Sequence, residues 1–172
     1  MKQTKFTVSF TTHVLANGMT AGSQDKFQRD LNNRLIFQQS WFYAAFNQAL
    51  KIAKHRGIKP ADIHMDLIVD APTVMYERKY GEGREEQRRM HETIPPGTLV
   101  TFEAVVADHL TESTLKDILD KMGRFVGLSP YGHNLGYGRF NVVSVEVASS
   151  DEGNTGTTQA DRQAIDQTQA AG

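Results

Sequence analysis

The sequence has 172 residues, an apolar content of 39% and a formal net charge of −1, which predict a soluble single domain with a buried core. It contains no cysteine, which excludes disulfide bonds and thiolate metal ligands. No apolar run reaches the roughly 18 residues of a membrane span, and residues 1–10 lack the apolar segment of a signal peptide, so we expect a cytoplasmic protein.

The first predicted strand covers residues 5–12, where Phe6, Val8 and Phe10 alternate with hydroxyl side chains. A period of two is typical of a half-buried strand. Residues 13–33 follow with turn-forming residues and no sustained period, and a connection of this length is usually functional or mobile.

A first helix is predicted from Ser40, as the N-cap, to about Arg56, with Gly57 ending it. Its apolar face repeats at helical spacing and comprises Phe42, Ala45, Phe46, Ala49, Ile52 and Ala53. We interpret this aromatic-rich face as part of the core.

After Pro60, apolar residues alternate from Ile63 to Val69 and predict a second strand. Residues 74–80 can continue as a strand beyond Pro72, and they lead into a segment with about as many acidic as basic side chains. Two interpretations of this segment remain open: a solvated loop or hairpin arm, or a flexible arm that contacts a phosphate backbone. The cations available to such an arm are Arg78, Lys79, Arg84, Arg88 and Arg89.

A turn at residues 95–97 precedes a third main strand, in which apolar residues alternate from Val100 to Val106. Thr111 then caps a second helix, and residues 140–147 form the last strand. The apolar face of the second helix comprises Leu115, Ile118, Leu119 and Met122. This order predicts an α+β, ferredoxin-like (RRM-like) antiparallel sheet with two helices on one face, which leaves the other face free for a partner.

The connection between the second helix and the last strand is rich in glycine, with Gly123, Gly127, Gly132, Gly136 and Gly138. Glycine tolerates positive φ and lets the backbone approach another chain or a ligand closely. The same segment carries side chains that stack on bases or pair with phosphates, namely Arg124, Tyr131, His133, Tyr137 and Arg139. A loop shaped for nucleic-acid contact and an ordinary glycine-rich turn are both compatible with this pattern.

We assign residues 1–148 to one ferredoxin-like domain and residues 149–172 to a flexible acidic tail. The tail is polar and of low complexity, and a segment of this kind buries too little apolar surface to offset its ordering entropy. It carries four acidic side chains against one basic one, so that the remaining domain has a formal charge of +2. This small excess permits nucleic-acid binding without being diagnostic of it.

Catalytic and cofactor motifs are absent from the sequence. The six histidines are scattered and have no metal-ligand spacing, and there is no Walker loop, GxSxG motif or dinucleotide fingerprint. We therefore expect no catalytic residue, no metal and no cofactor.

The element order and the glycine-rich segment together resemble the RAMP superfamily, the repeat-associated proteins of CRISPR effector complexes, and their small phage-encoded relatives. The resemblance is carried by Gly127-Leu128-Ser129 and Gly136-Tyr137-Gly138-Arg139-Phe140, and more weakly by residues 35–45 and 96–107. Many of these proteins carry Lys-Gly and Arg after the serine of the first helix, where this chain has Trp41-Phe42-Tyr43-Ala44.

The resemblance implies a phage- or mobile-element-encoded protein that binds single-stranded RNA or DNA in the host cytoplasm, with room for partner subunits. Because one domain with a small charge surplus binds weakly, we expect self-association along the strand, as a filament or a ring. Two alternatives remain. One is a metal-independent endoribonuclease of RAMP type that uses His13 or His133 as general acid or base, and the other is a protein-interaction module that binds no nucleic acid.

Overall fold

The computed structural model describes residues 1–17, 24–81, 83–131 and 135–149. The predicted acidic tail, apart from Ser149, and the predicted site residue His133 lie outside these ranges. The elements in chain order are β1 (Lys2–Phe10), β2 (Val14–Leu15), β3 (Gln24–Asp25), β4 (Gln28–Arg29), β5 (Leu35–Ile36), α1 (Gln39–Ala53), β6 (Ile63–Asp66), β7 (Ile68–Val69), β8 (Val74–Tyr80), β9 (Gln87–Ile94), β10 (Leu99–Val106), α2 (Glu112–Lys121) and β11 (Phe140–Val147).

The central sheet has the strand order β11-β1-β10-β6, and every neighbouring pair is antiparallel. Phe6 and Phe102 lie opposite each other on its buried face, with ring centroids 5.3 Å apart. Helices α1 and α2 contact each other and cover this face. The predicted α+β, ferredoxin-like arrangement with two helices on one face is therefore confirmed.

The opposite face of the central sheet carries polar side chains that pair across the strands. The hydroxyls of Thr7 and Thr101 are 2.8 Å apart, and Lys5 Nζ lies 3.6 Å from a carboxylate oxygen of Glu103. These cross-strand pairs occupy a face that neither α1 nor α2 covers, as the alternation in β1 and β10 predicted.

Helix α1 differs from its prediction at both ends. It begins at Gln39, so that Ser40 lies inside the first turn, and the actual N-cap, Gln38, makes no side-chain capping hydrogen bond. It ends at Ala53 because Lys54 adopts a left-handed conformation with φ 59°, and this conformation stops the helix three residues before Gly57. The predicted serine cap and the predicted end at Arg56 were both wrong.

Helix α2 follows its prediction more closely. The Thr111 hydroxyl accepts a hydrogen bond from the Thr114 amide at 3.2 Å, which confirms the predicted N-cap. The predicted apolar face, Leu115, Ile118, Leu119 and Met122, is fully buried. The helix continues as a π-helical turn, Met122–Val126, that ends at Gly127 with φ 86°.

The two strands predicted before the arm have limits in the structure that differ from the predicted ones. Strand β1 covers residues 2–10, shifted towards the N-terminus from the predicted 5–12. The second predicted strand, residues 63–69, is divided into β6 and β7, which pair with β10 and β5 respectively. The division falls where Asp66 Oδ1 accepts a hydrogen bond from the Ile68 amide at 3.0 Å, so the alternating pattern crosses from one sheet to another.

Strands β8 and β9 form the hairpin arm, paired from Val74↔Thr93 to Tyr80↔Gln87. Strand β9 also pairs with β2, antiparallel, and with β3, parallel. The base of the arm is therefore attached to the segments that follow β1. Among the helices in the described part of the chain, none is long and apolar enough to cross a membrane.

Candidate nucleic-acid interface

One end of the central sheet brings together the arm and the glycine-rich segment. Phe10 at the end of β1 pairs with Phe140 at the start of β11, and the Phe10 carbonyl accepts a hydrogen bond from the Gly97 amide at 2.7 Å. The ends of β1, β10 and β11 that meet here therefore place the arm, residues 11–17 and the glycine-rich segment side by side.

The two described halves of the glycine-rich segment are held together by backbone hydrogen bonds. The Leu128 amide donates to the Gly138 carbonyl at 2.8 Å, and the Gly138 amide donates to the His13 carbonyl at 2.7 Å. The Thr12 hydroxyl donates to the Gly136 carbonyl at 2.8 Å. These hydrogen bonds attach the glycine-rich segment to Thr12 and His13, which follow β1, so the shape of the segment depends on these two residues.

Two predicted or alternative site residues, His13 and Tyr137, meet Tyr76 at the base of the arm. The His13 ring lies against Tyr76, with centroids 4.3 Å apart, and Tyr76 contacts Tyr137 edge to face at 6.2 Å. Burial, together with a hydrogen bond to Tyr76, raises the pKa of Tyr137 to about 12, so its hydroxyl stays protonated near neutral pH. Tyr76 was not predicted as a site residue, although its alternation with Arg78 along β8 places both on one face of the arm.

Arg78 occupies the centre of this face. Its guanidinium carbon lies 4.7 Å from the Tyr80 ring centroid and 4.5 Å from that of Tyr131, so two aromatic rings contact one cation. Its Nε donates to His91 Nε2 at 3.2 Å. The predicted site residues Arg78 and Tyr131 are therefore brought together, with His91 holding the guanidinium in place.

His91 is completely buried, and its hydrogen bonds determine its protonation state. Nδ1 lies 2.8 Å from the Ala16 carbonyl, which can only accept, so Nδ1 carries the proton and Nε2 accepts from Arg78. Burial lowers the pKa of His91, outweighing the opposing effects of the Ala16 carbonyl and the Asp25 carboxylate. The ring is consequently neutral near pH 7, and no sequence pattern marked it as a site residue.

The lowered pKa of His91 predicts that stability decreases on acidification. Burial also lowers the pKa of His13, so below about pH 6.5 the unfolded chain binds protons that the folded chain does not. The free energy of unfolding should fall by up to about 1.4 kcal/mol per pH unit for each histidine as the pH drops below that value. Urea unfolding of the wild type and of His91→Gln at several pH values between pH 7.5 and pH 5.5 would test this, and an identical pH dependence in the two proteins would contradict it.

Arg89 is engaged in an ion pair that attaches β9 to β3. Its Nη2 donates to Asp25 Oδ1 at 2.7 Å and its Nε donates to Oδ2, in a bidentate geometry. The Asp25 side chain is only 1% exposed, whereas that of Arg89 is 37% exposed. Arg89 thus has a structural role at the base of the arm, and Asp25, 64 residues away in sequence, had no signal that could have identified it.

The outer part of the arm carries the remaining predicted cations, and all of them are exposed. Lys79 lies directly opposite Arg88, just as Arg78 lies opposite Arg89 in the next rung of the hairpin. Arg88 Nη1 is 3.5 Å from Glu77, whereas Lys79 and Arg84 have no ion-pair partner among the described residues. Like charges directly opposite each other destabilise a strand pair, so an anion bound to the arm would relieve this repulsion.

Arg124 lies in the π-helical turn Met122–Val126, and Arg139 directly precedes β11. An Arg139 guanidinium nitrogen donates to the Arg124 carbonyl, which joins the π-helical turn to the start of β11. The Arg124 guanidinium is exposed and lies 5.9 Å from the Phe125 ring centroid. The structure therefore brings these two predicted site residues together, and their binding role stays a prediction.

A cavity of about 270 Å³ separates the first turns of α1 from the glycine-rich segment. Ser40, Trp41 and Gln48 line it on one side, and Gly127 and Ser129 line it on the other. Two of the segments that carry the family resemblance thus converge on one cavity. No group of three or more potential metal ligands occurs within the described residues.

By sequence, the chain matches no protein-family model and no curated protein. Among solved structures, it is similar to a chain of the type III-B Cmr-beta complex bound to cognate target RNA, with a TM-score of 0.52 and 15% identity over 86% of this chain and 61% of that chain. It also matches Csc2 of Thermofilum pendens, with a TM-score of 0.44 and 11% identity over 98% of this chain and 76% of that chain.

The similarity to the Cmr-beta chain shows a shared fold. This similarity supports the predicted ferredoxin-like fold. The chain spans about 61% of the length of that neighbour, so the two proteins share a domain rather than their full extent.

Proposed function

We propose that this chain binds single-stranded RNA, as one of several copies along the strand in a ribonucleoprotein complex. The observation that carries the proposal is the arm, where cations face each other in two adjacent rungs. Lys79 in the outer of these rungs and Arg84 in the turn have no acidic partner among the described residues. The structurally similar Cmr-beta chain belongs to a complex bound to target RNA, which favours RNA over DNA as the ligand.

The arm supports contacts to the phosphate backbone more strongly than contacts to bases. Tyr76 contacts His13 and Tyr137, and Tyr80 and Tyr131 contact Arg78, so these rings are not free platforms for bases. The outer cations, in contrast, project from an exposed hairpin that is attached at its base by the Asp25–Arg89 ion pair. We therefore expect binding with little sequence preference and strong salt dependence.

Self-association follows from the small number of cations in one copy. Each arm offers only a few phosphate contacts, so a single domain binds weakly and repeated copies on one strand raise the overall affinity. Val74 and Met75, which lie on opposite faces of β8, are 47% and 46% exposed, so each face of the arm carries one exposed apolar side chain that a neighbouring copy can cover.

Charge neutralisation in the arm tests this proposal. In Lys79→Gln/Arg84→Gln, the affinity for a labelled uridine oligomer of about 20 nucleotides should fall about tenfold, and the slope of log K against log salt should decrease by about 1.4, since a single-strand phosphate contact contributes about 0.7. Fluorescence anisotropy over a salt series measures both quantities.

The control is Lys5→Gln/Lys116→Gln, which removes the same charge from two exposed lysines outside the arm. It should bind like the wild type. Equal binding and equal salt slopes in the arm variant and the wild type would refute the proposal. Failure of the wild type to bind the oligomer, or cleavage of it in chelator, would favour the interaction-module or endoribonuclease alternative instead.

A further inference from the structure

The opposite end of the central sheet carries a second basic surface that is independent of the arm. At this end the Ala107 amide donates to the Asp62 carbonyl at 2.8 Å, and the Ala148 amide donates to the Gln3 carbonyl at 2.8 Å. The start of β1 and the end of β11 therefore meet here, beside the end of α1. The arm and the glycine-rich segment leave the sheet at the other end.

A cavity of about 540 Å³ lies at the end of α1. Four basic residues contribute to its lining, namely Lys51, Lys54, His55 and Arg56, together with Asn47 and Leu50, and no acidic residue in the described part of the chain does so. A volume of this size lies within the usual range for small-molecule sites, about 300–1,000 Å³.

The nearest acidic group is already neutralised by other partners. Asp117 Oδ2 lies 2.9 Å from His55 Nε2, and Oδ1 accepts from Lys121 Nζ. The Lys121 ammonium, followed by the His55 ring, holds the pKa of Asp117 below its ordinary value. Asp117 is thus engaged by these two groups, and Lys51, Lys54 and Arg56 have no ion-pair partner among the described residues.

The backbone at Lys54 is a second, independent observation. This residue has φ 59°, a left-handed conformation that glycine adopts freely at helix ends and that is unfavourable for a residue with a Cβ. A glycine at this position would end α1 without strain. The chain instead has a lysine at the strained position, beside the cavity, and strain of this kind is characteristic of functional sites.

We propose that this cavity binds phosphate groups, either of a second segment of nucleic acid backbone or of a free nucleotide. Lys51 and Arg56 would contact the phosphate oxygens by charge-assisted hydrogen bonds, and Lys54 would complete the cationic wall. The cations at the end of a helix also interact favourably with its carbonyl groups, but that interaction does not require a lysine in a left-handed conformation.

Nuclear magnetic resonance titrations of the full chain test the proposal with two probes, ATP and a uridine oligomer of about 12 nucleotides. At least one probe should shift the amide signals of residues 51–58. Lys51→Gln/Arg56→Gln should weaken that response at least about tenfold, whereas Lys5→Gln/Lys116→Gln should leave it unchanged. A response to ATP alone identifies a nucleotide site, and a response to the oligomer identifies a backbone site.

Lys54→Gly separates a binding role from a structural one. It removes a cation and relieves the strained φ, so it should raise the melting temperature while weakening probe binding about threefold or more. No response of residues 51–58 to either probe, or unchanged binding in Lys51→Gln/Arg56→Gln, would overturn the proposal. The arm variant Lys79→Gln/Arg84→Gln should retain this response, so failure here is distinguishable from failure of the arm as an RNA-binding element.

Discussion

Gly138→Ala is expected to lower the free energy of unfolding by about 3 kcal/mol, through a backbone clash added to an unfavourable φ. A Cβ at position 138 would lie 2.7, 2.8 and 2.9 Å from the backbone C, O and N atoms of Leu128. These are backbone atoms, and the Leu128 amide also donates to the Gly138 carbonyl, so they cannot move aside as a flexible side chain could. Gly138 also has φ 71°, which disfavours any residue with a Cβ.

Gly136→Ala is the matched control for this prediction. Gly136 has φ 78° in the same segment, but a Cβ there would have no atom within 4 Å. Only the conformational cost remains, about 1–2 kcal/mol. Urea unfolding of the two variants measures the difference, and equal losses would show that the two halves of the segment are not held together as described.

Arg89→Leu is expected to lower the melting temperature by about 10 °C, because it leaves a buried carboxylate without its cation. Asp25 is 1% exposed, and the His91 ring, 3.3 Å away, is neutral and cannot replace the guanidinium. Asp25→Leu should have a smaller effect, since Arg89 is 37% exposed and can turn towards water. The distinctive expectation is therefore that the melting temperature falls further in Arg89→Leu than in Asp25→Leu.

The double variant Asp25→Leu/Arg89→Leu provides the second half of this test. It contains no unpaired buried charge, so its melting temperature should recover most of the loss seen in Arg89→Leu. The melting temperatures of the wild type, the two single variants and the double variant, measured in one buffer, give the coupling between Asp25 and Arg89. A double variant whose loss equals the sum of the two single losses would mean that the residues do not interact.

Part of the candidate site could be predicted from the sequence. The glycine-rich segment pointed to Tyr131 and Tyr137, and the run of charged residues in the arm pointed to Arg78, because these features are local in the chain. The structure assigns different surroundings to residues that looked alike in the sequence: Arg89 is paired with a buried carboxylate, whereas Lys79 remains exposed on the outer arm. The difference between Arg89 and Lys79 comes from the buried carboxylate that pairs with Arg89. Because this partner is distant in sequence, no local pattern reveals it.

The sequence by itself determined the order of the main elements and the buried side of each, because a period of two or of 3.6 depends only on neighbouring residues. The tertiary structure alone decided where those elements stop and which polar groups meet. Helix α1 ends at Lys54 through a left-handed backbone that no propensity predicts for lysine, and the run from Ile63 to Val69 divides because its two halves pair with different sheets. His91 and Asp25 acquired their roles in the same way, from burial beside Arg78 and Arg89, since burial depends on contacts through space.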